Sequence, residues 1–196
     1  MGYERGRIDL GDGHVPVLTG QRLLLRAISV DDAEALFHCW SNPEVSYWLG
    51  APMLSSVSET RELIVRLLQM AQENDSLRFS IVLPEGTVIG SCAYNNWQLE
   101  GAYRGELGCE LLPEFWGCGY MREALRLLLK FGFESMGLNR IEVICRPDNA
   151  RAVRLFTALG FRQEGILRQY RHTEAGFQDV AMYSLLNTDG WQNWML

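Results

Sequence analysis

Apolar positions change their period several times along this chain, and each change marks an element. "RLLLRAI" (Arg22–Ile28) is a compact apolar run of strand length. "SVDDAEALFHCW" then opens with Ser and Asp, residues that cap helices, and sets Ala33, Leu36, Phe37 and Trp40 at helical spacing. "NPEVSYWLG" predicts a short helix or turn stopping at Gly50, and Ser58–Glu73 an amphipathic helix with Leu63, Leu67, Met70 and Ala71 on one side. Strands follow at "LRFSIVL", at "TVIGSCAYNNW" after a "PEG" turn, and at "YRGELGCELL" (Tyr103–Leu112), which Pro113 stops. From Tyr120 to Met136 a helical stripe runs through Met121, Ala124, Leu125, Leu128 and Phe131, with Gly137 as its stop. "NRIEVICR" reads as a central strand and Asn149–Leu159 as a helix ended by Gly160; strands near Phe161–Arg168 and Phe177–Leu186 complete the pattern.

This order predicts one α/β domain over residues 21–186, between a lead-in (1–20) and a tail (187–196). Helices alternate with strands in the second half, so a mixed sheet of about seven strands with flanking helices is expected, parallel in part. With 47% hydrophobic and 21% charged residues the chain has the composition of a globular protein. A net charge of −6 argues against nucleic acid as a partner, and no run approaches a membrane span. "MGYERGRIDLGDG" carries no apolar segment of signal-peptide type. Five cysteines without a C-x-x-C, and three scattered histidines, make a metal site unexpected and suit a reducing cytoplasm.

The stretch "EFWGCGYMREA" departs from the usual helix start. It places Gly-Cys-Gly where a Ser, Thr, Asp or Asn cap is the norm, which leaves bare amides at a helix N-terminus. Gly117 and Gly119 let a ligand approach the backbone, and Arg122 in the first turn opposes the helix dipole but suits a phosphate. An ordinary strand-to-helix corner would also use such glycines. Neither the P-loop pattern nor G-x-G-x-x-G is present.

"PEFWGCGYMREAL" resembles the acyl-CoA loop of the GNAT N-acetyltransferases, in the form of the RimJ/RimL-type branch. "NRIEVICRPDNARAVRLFTALGFRQEG", "TGQRLLLRAISVDDAEALFHCWSNPEV" and "GFQDVAMYSLL" resemble three further blocks of that branch, so the likeness spans roughly residues 19–186. It implies the GNAT fold, whose sheet splays at its centre, and acetyl transfer from acetyl-CoA to a primary amine in a ternary complex. The acceptor would be a protein N-terminus, of ribosomal type in the best-known cases, or a small amine such as a polyamine or aminoglycoside. A non-catalytic acyl-CoA-binding module is the alternative of another class. Since dimers are common in the family, a homodimer is a candidate partner.

By the resemblance, the pyrophosphate would lie on the amides of Gly117, Cys118, Gly119, Tyr120 and Met121, beside Arg122 and Trp116. The pantetheine arm would pair with the strand end near Glu110, Leu111 and Leu112, and Asn149 matches a CoA-contacting Asn that also suits a helix cap. Glu106 and Glu110 lie four apart on one strand and so share a face, which makes both candidate bases, Glu110 the stronger. Phe156, in the cofactor region, and Ala152 stand where the family often has a Tyr or Ser donor, so the general acid is missing. Tyr120 and Tyr170 are candidate substitutes, and Cys145 is a candidate acyl acceptor or else a small core residue. Tyr47, Trp48, Tyr94 and Trp97 are expected on the acceptor side or in the core, and His172 in a loop near the substrate. Trp191 and Trp194 suggest a tail that docks on the body or on a partner.

Overall fold

Among the described residues parallel pairing occurs at one place in the sheet, and that place organises the molecule. The computed structural model describes residues 15–50, 53–73, 76–173 and 176–194. Its strands are β1 (Leu18–Thr19), β2 (Leu24–Ala27), β3 (Leu77–Val82), β4 (Val88–Gln98), β5 (Arg104–Leu111), β6 (Arg140–Cys145), β7 (Arg162–Thr173) and β8 (Gly176–Leu186). They form one sheet in the order β1-β2-β3-β4-β5-β6-β8-β7. The strand beyond the expected set is β1, a two-residue edge piece in the lead-in that pairs with β2.

Neighbouring strands run antiparallel except β5 and β6. Those two pair only over Arg104–Leu107 and Arg140–Val143, although β5 continues to Leu111 and β6 to Cys145. Beyond Leu107 and Val143 they diverge, so the sheet splays at its centre. Inter-strand amides in such a gap lack their ladder partners and are open to an inserted chain.

The helices are α1 (Ala33–Trp40), α2 (Pro43–Leu49), α3 (Val57–Gln72), α4 (Tyr120–Lys130) and α5 (Ala150–Ala158). "NPEVSYWLG" is a helix because Asn42 caps the amide of Glu44, Pro43 fills the first position and Gly50 stops it at φ 63°. Ser56 and Asn149 cap α3 and α5 in the same way. The α4 pattern does run on to Ser135, but its last turn, Phe131–Ser135, widens into a π-turn.

Two cores lie on the two faces of the sheet. One centres on α4 and includes Leu125, Leu128, Phe79, Ile141 and Leu185; the other lies under α1 and α3 and includes Leu36, Ile64 and Val82. Tyr94 belongs to the first core: it is fully buried and its hydroxyl donates to the Leu128 carbonyl at 2.9 Å. It is therefore a core residue, and Trp97 packs against the same core. In the tail, Trp191 is buried, stacks on Phe133 at 5.1 Å and donates its indole N–H to Asn187. That segment docks on the body; the Trp194 side chain lies outside the described residues. Among the described residues no helix is long and apolar enough to cross a membrane.

Candidate active site

The loop from β5 to α4 is shaped by its own sequence. The Leu112 amide still bonds to Ile89 on β4 at 3.0 Å, after which Pro113–Phe115 make a tight 3-10 turn. The Trp116 indole folds back and donates to the Leu111 carbonyl at 2.7 Å. Gly117 and Gly119 then take φ 76° and 83°, a left-handed backbone that residues with a Cβ seldom adopt. At Gly119 the helix begins with no side-chain cap, so the first-turn amides of α4 stay unclaimed by capping groups. A Cβ on Gly117 would touch nothing within 4 Å, so the glycine serves backbone conformation and an open approach.

A residue from the start of the chain braces this loop. Arg22 donates its backbone amide and Nε to the two carboxylate oxygens of Glu123, at 2.8 and 2.9 Å. Its Nη1 donates to the Cys118 carbonyl at 2.9 Å, and its guanidinium lies 4.7 Å over the Tyr120 ring. Arg151 sits 4.3 Å over the Trp116 ring. Beside the loop opens a cavity of about 650 Å³, walled by Leu111, Trp116, Gly117, Gly119, Met121, Arg122 and Asn149, with Arg151 and Arg154.

A second cavity, of about 370 Å³, opens on the α1–α3 face. Trp48, Leu49, Cys109, Glu110, Asn149, Ala152 and Leu155 line both, so the two meet at the splay. Glu106, Glu110, Cys145 and Phe156 also border the second, brought together from β5, β6 and α5. Cys118, Tyr120 and Leu112 do not line the first cavity. Tyr170 is exposed on β7 and lines neither, and the Tyr120 ring is packed between Arg22 and Phe115. His172 lies on β7 itself, exposed, with its ring against Phe177.

The two carboxylates differ sharply. One oxygen of buried Glu110 accepts from Arg78 Nη1 at 2.5 Å, from Trp40 Nε1 at 2.9 Å and from the Ser91 hydroxyl. It ties α1, β3, β4 and β5 together as a held anion. Glu106 is half-buried and meets only Asn95 Nδ2, at 3.3 Å, among the described residues. Its cationic neighbours are taken: Arg104 and Arg140 pair with Glu142, and Arg140 also with Glu164. Burial pushes the Cys145 thiol up to about 11, with Arg171 pulling the other way, so it is protonated at neutral pH.

The Acetyltransferase (GNAT) domain pattern matches residues 22–162. The chain is 36% identical over 170 residues to an uncharacterized N-acetyltransferase, p20, of Bacillus licheniformis, covering 86% of this chain and 95% of that one. The YoaA N-acetyltransferase of Bacillus subtilis, also uncharacterized, is 33% identical over 87% of this chain and 97% of its own. In fold, the chain resembles the RimJ of Mycobacterium smegmatis, solved with a CoA disulfide, at TM-score 0.84 and 21% identity over 91% of this chain and 90% of that one. The chain belongs to the GNAT acetyltransferase family.

Acetyl-CoA is the co-substrate of a GNAT enzyme, and the residues present fit it. Open first-turn amides and the cations Arg122, Arg151 and Arg154 suit a diphosphate, while the apolar stretch from Leu111 to the splay suits a pantetheine arm. Strand alternation refines where that arm would pair. Since the Leu112 amide faces β4, the amides of Cys109 and Leu111 face the gap.

Several site residues escaped the sequence reading. Arg22, Arg78 and Trp40 belong to elements read only as strand or helix, Arg171 falls in what the pattern reads as the loop before the last strand, and their partners are distant in sequence. The one available signal was an Arg within an apolar strand, as at Arg78, which must find a counter-charge.

Proposed function

We propose that this enzyme transfers the acetyl group of acetyl-CoA directly to the N-terminal amine of a protein or peptide, with Glu106 as the base. The second cavity carries this reading: its walls are largely apolar, including Trp40, Leu54, Leu63 and Leu67, and Glu106 is the one carboxylate on it without an ion pair among the described residues. A polyamine or aminoglycoside would call for several unpaired acids, whereas Arg78 and Arg171 also border this space.

Acetyl-CoA supplies an activated acyl carbon. Glu106, directly or through water, takes the proton of the incoming ammonium, so that a neutral amine can form the C–N bond as the C–S bond breaks. The Cys109 and Leu111 amides, turned to the gap, bind along the arm and stabilise charge developing on the carbonyl oxygen. Phe156 and Ala152 hold no proton to give, and Tyr170 stands apart, so the thiolate departs on its own low basicity and takes up, directly or through water, the second proton that the acylated nitrogen sheds. Cys145, protonated and on the cavity wall, is bypassed by direct transfer.

Calorimetry with acetyl-CoA, together with thiol release on a short peptide, spermidine and an aminoglycoside, tests this. Binding plus release on the peptide is expected. Faster release on spermidine or the aminoglycoside would move the acceptor to a small amine; binding without release on any would leave a binding module.

A further inference from the structure

The residue beside His172 points the other way. Arg171 lies on β7 just past an irregular stretch where the register with β8 shifts between Leu167 and Arg171, and where Gln169 takes φ 52°. The shift aims the Arg171 side chain inward. There its Nη1 donates to the Leu49 carbonyl at the end of α2, at 2.7 Å, and the side chain borders the second cavity. Its charge reaches Cys145 on β6 strongly enough to oppose the burial of that thiol. Glu106 stands on β5 and Arg171 on the β6 side, so one carboxylate and one guanidinium flank the same splay. A guanidinium has five N–H donors, and among the described residues Leu49 engages one nitrogen of it.

A mostly apolar pocket with one free carboxylate and one partly engaged guanidinium is matched by a particular group. That group is a primary amine with a carbonyl or carboxylate one carbon away, carrying an apolar side chain. We infer that Arg171 is a specificity-determining residue that binds the oxygen adjacent to the acceptor amine, so that the substrate class is the α-aminoacyl group. The ammonium sits at Glu106, the neighbouring C=O accepts from Arg171, and the side chain lies among Leu54, Leu63 and Leu67. This rests on the acetyl-transfer reading above. It explains why an acceptor pocket holds cations at all, since an arginine repels a simple amine and attracts an aminoacyl one.

The test is thiol release with leucinamide, a leucine-initiated tetrapeptide, free leucine and 3-methylbutylamine, which lacks the carbonyl. Rates are expressed per neutral amine, because the alkylamine is about two pK units more basic. In the native enzyme, leucinamide or the tetrapeptide should exceed 3-methylbutylamine in kcat/KM by about 10- to 100-fold, the range for a hydrogen bond to a charged group. Free leucine outrunning both would mark a free amino acid as the source of the group; the tetrapeptide leading would mark a chain terminus. Arg171→Ala should collapse the ratio and Arg171→Lys restore part of it. Equal rates for leucinamide and 3-methylbutylamine in the native enzyme overturn the inference even if the variants fail to fold. So does an Arg171→Ala variant that binds acetyl-CoA yet keeps the full ratio. Release from none of the amines, with acetyl-CoA still bound, overturns the acetyl-transfer reading and this one with it.

Discussion

The two halves of the cleft are built from different materials. The half proposed for acetyl-CoA is a backbone device: a proline stop, two left-handed glycines and an uncapped helix start, contiguous from Pro113 to Arg122. The half proposed for the acceptor is assembled from side chains that arrive separately, Trp40 from α1, Arg78 from β3, Glu106 from β5 and Arg171 from β7. A backbone device constrains residue types locally and so leaves a readable pattern. A side-chain constellation constrains only the positions of atoms, which several sequences can supply. Between the halves lies the β5–β6 splay, and the lone parallel pair marks where one gives way to the other.

This contrast can be broken most severely at Glu110. If it holds the acceptor half together as a buried anion, Glu110→Ala should strand the Arg78 charge and cost about 3–5 kcal/mol of stability. Denaturant unfolding would read this, and a loss confined to activity, with stability intact, would return Glu110 to the role of base. Next in size, Glu106→Gln should lower kcat about 10²- to 10⁴-fold while acetyl-CoA affinity by calorimetry stays near the native value. A variant that keeps its turnover would remove Glu106 from the chemistry.

Arg22→Ala sharpens the backbone side of the comparison. Without the brace between Glu123, the Cys118 carbonyl and the Tyr120 ring, the loop should loosen and the KM for acetyl-CoA rise about 3- to 10-fold at little cost in kcat. An unchanged KM would mean that the glycine backbone holds its shape unaided. The smallest effect belongs to Cys145→Ala. A thiol that burial keeps protonated takes no part in direct transfer, so kcat should stay within about 3-fold of native. Loss of turnover, or a burst of thiol before the acceptor is added to the native enzyme, would argue for an acyl-enzyme instead.

Much of the fold was legible in the sequence for physical reasons. Caps at Ser29 and Asn149, stops at Gly50, Gly137 and Gly160, and alternating apolar periods act within a few residues, so local pattern carries them. The two-residue β1 was not legible, being too short to show a period. Aromatic residues were poorly resolved by pattern alone: Tyr94 and Trp48 carry the same expectation, acceptor side or core, yet one fills the core under Leu128 and the other borders both cavities. The ranking of the two glutamates ran toward Glu110 for its place near the strand end. The proposal of Glu106 as base rests instead on Arg78, Trp40 and Ser91 converging on Glu110 from three other elements.

By itself the sequence determined the order of elements, the open-amide loop, and a shared strand face for both carboxylates, since each depends on neighbours in the chain. Only the tertiary structure decided which carboxylate is held, which arginine braces the loop and which one borders the second cavity. Those outcomes depend on groups that meet across separations of 32 residues for Arg78 and Glu110, 101 for Arg22 and Glu123, and 122 for Arg171 and the Leu49 carbonyl. Pairing at such range is settled by packing and desolvation in the folded chain, where an unpaired buried charge is too costly to persist.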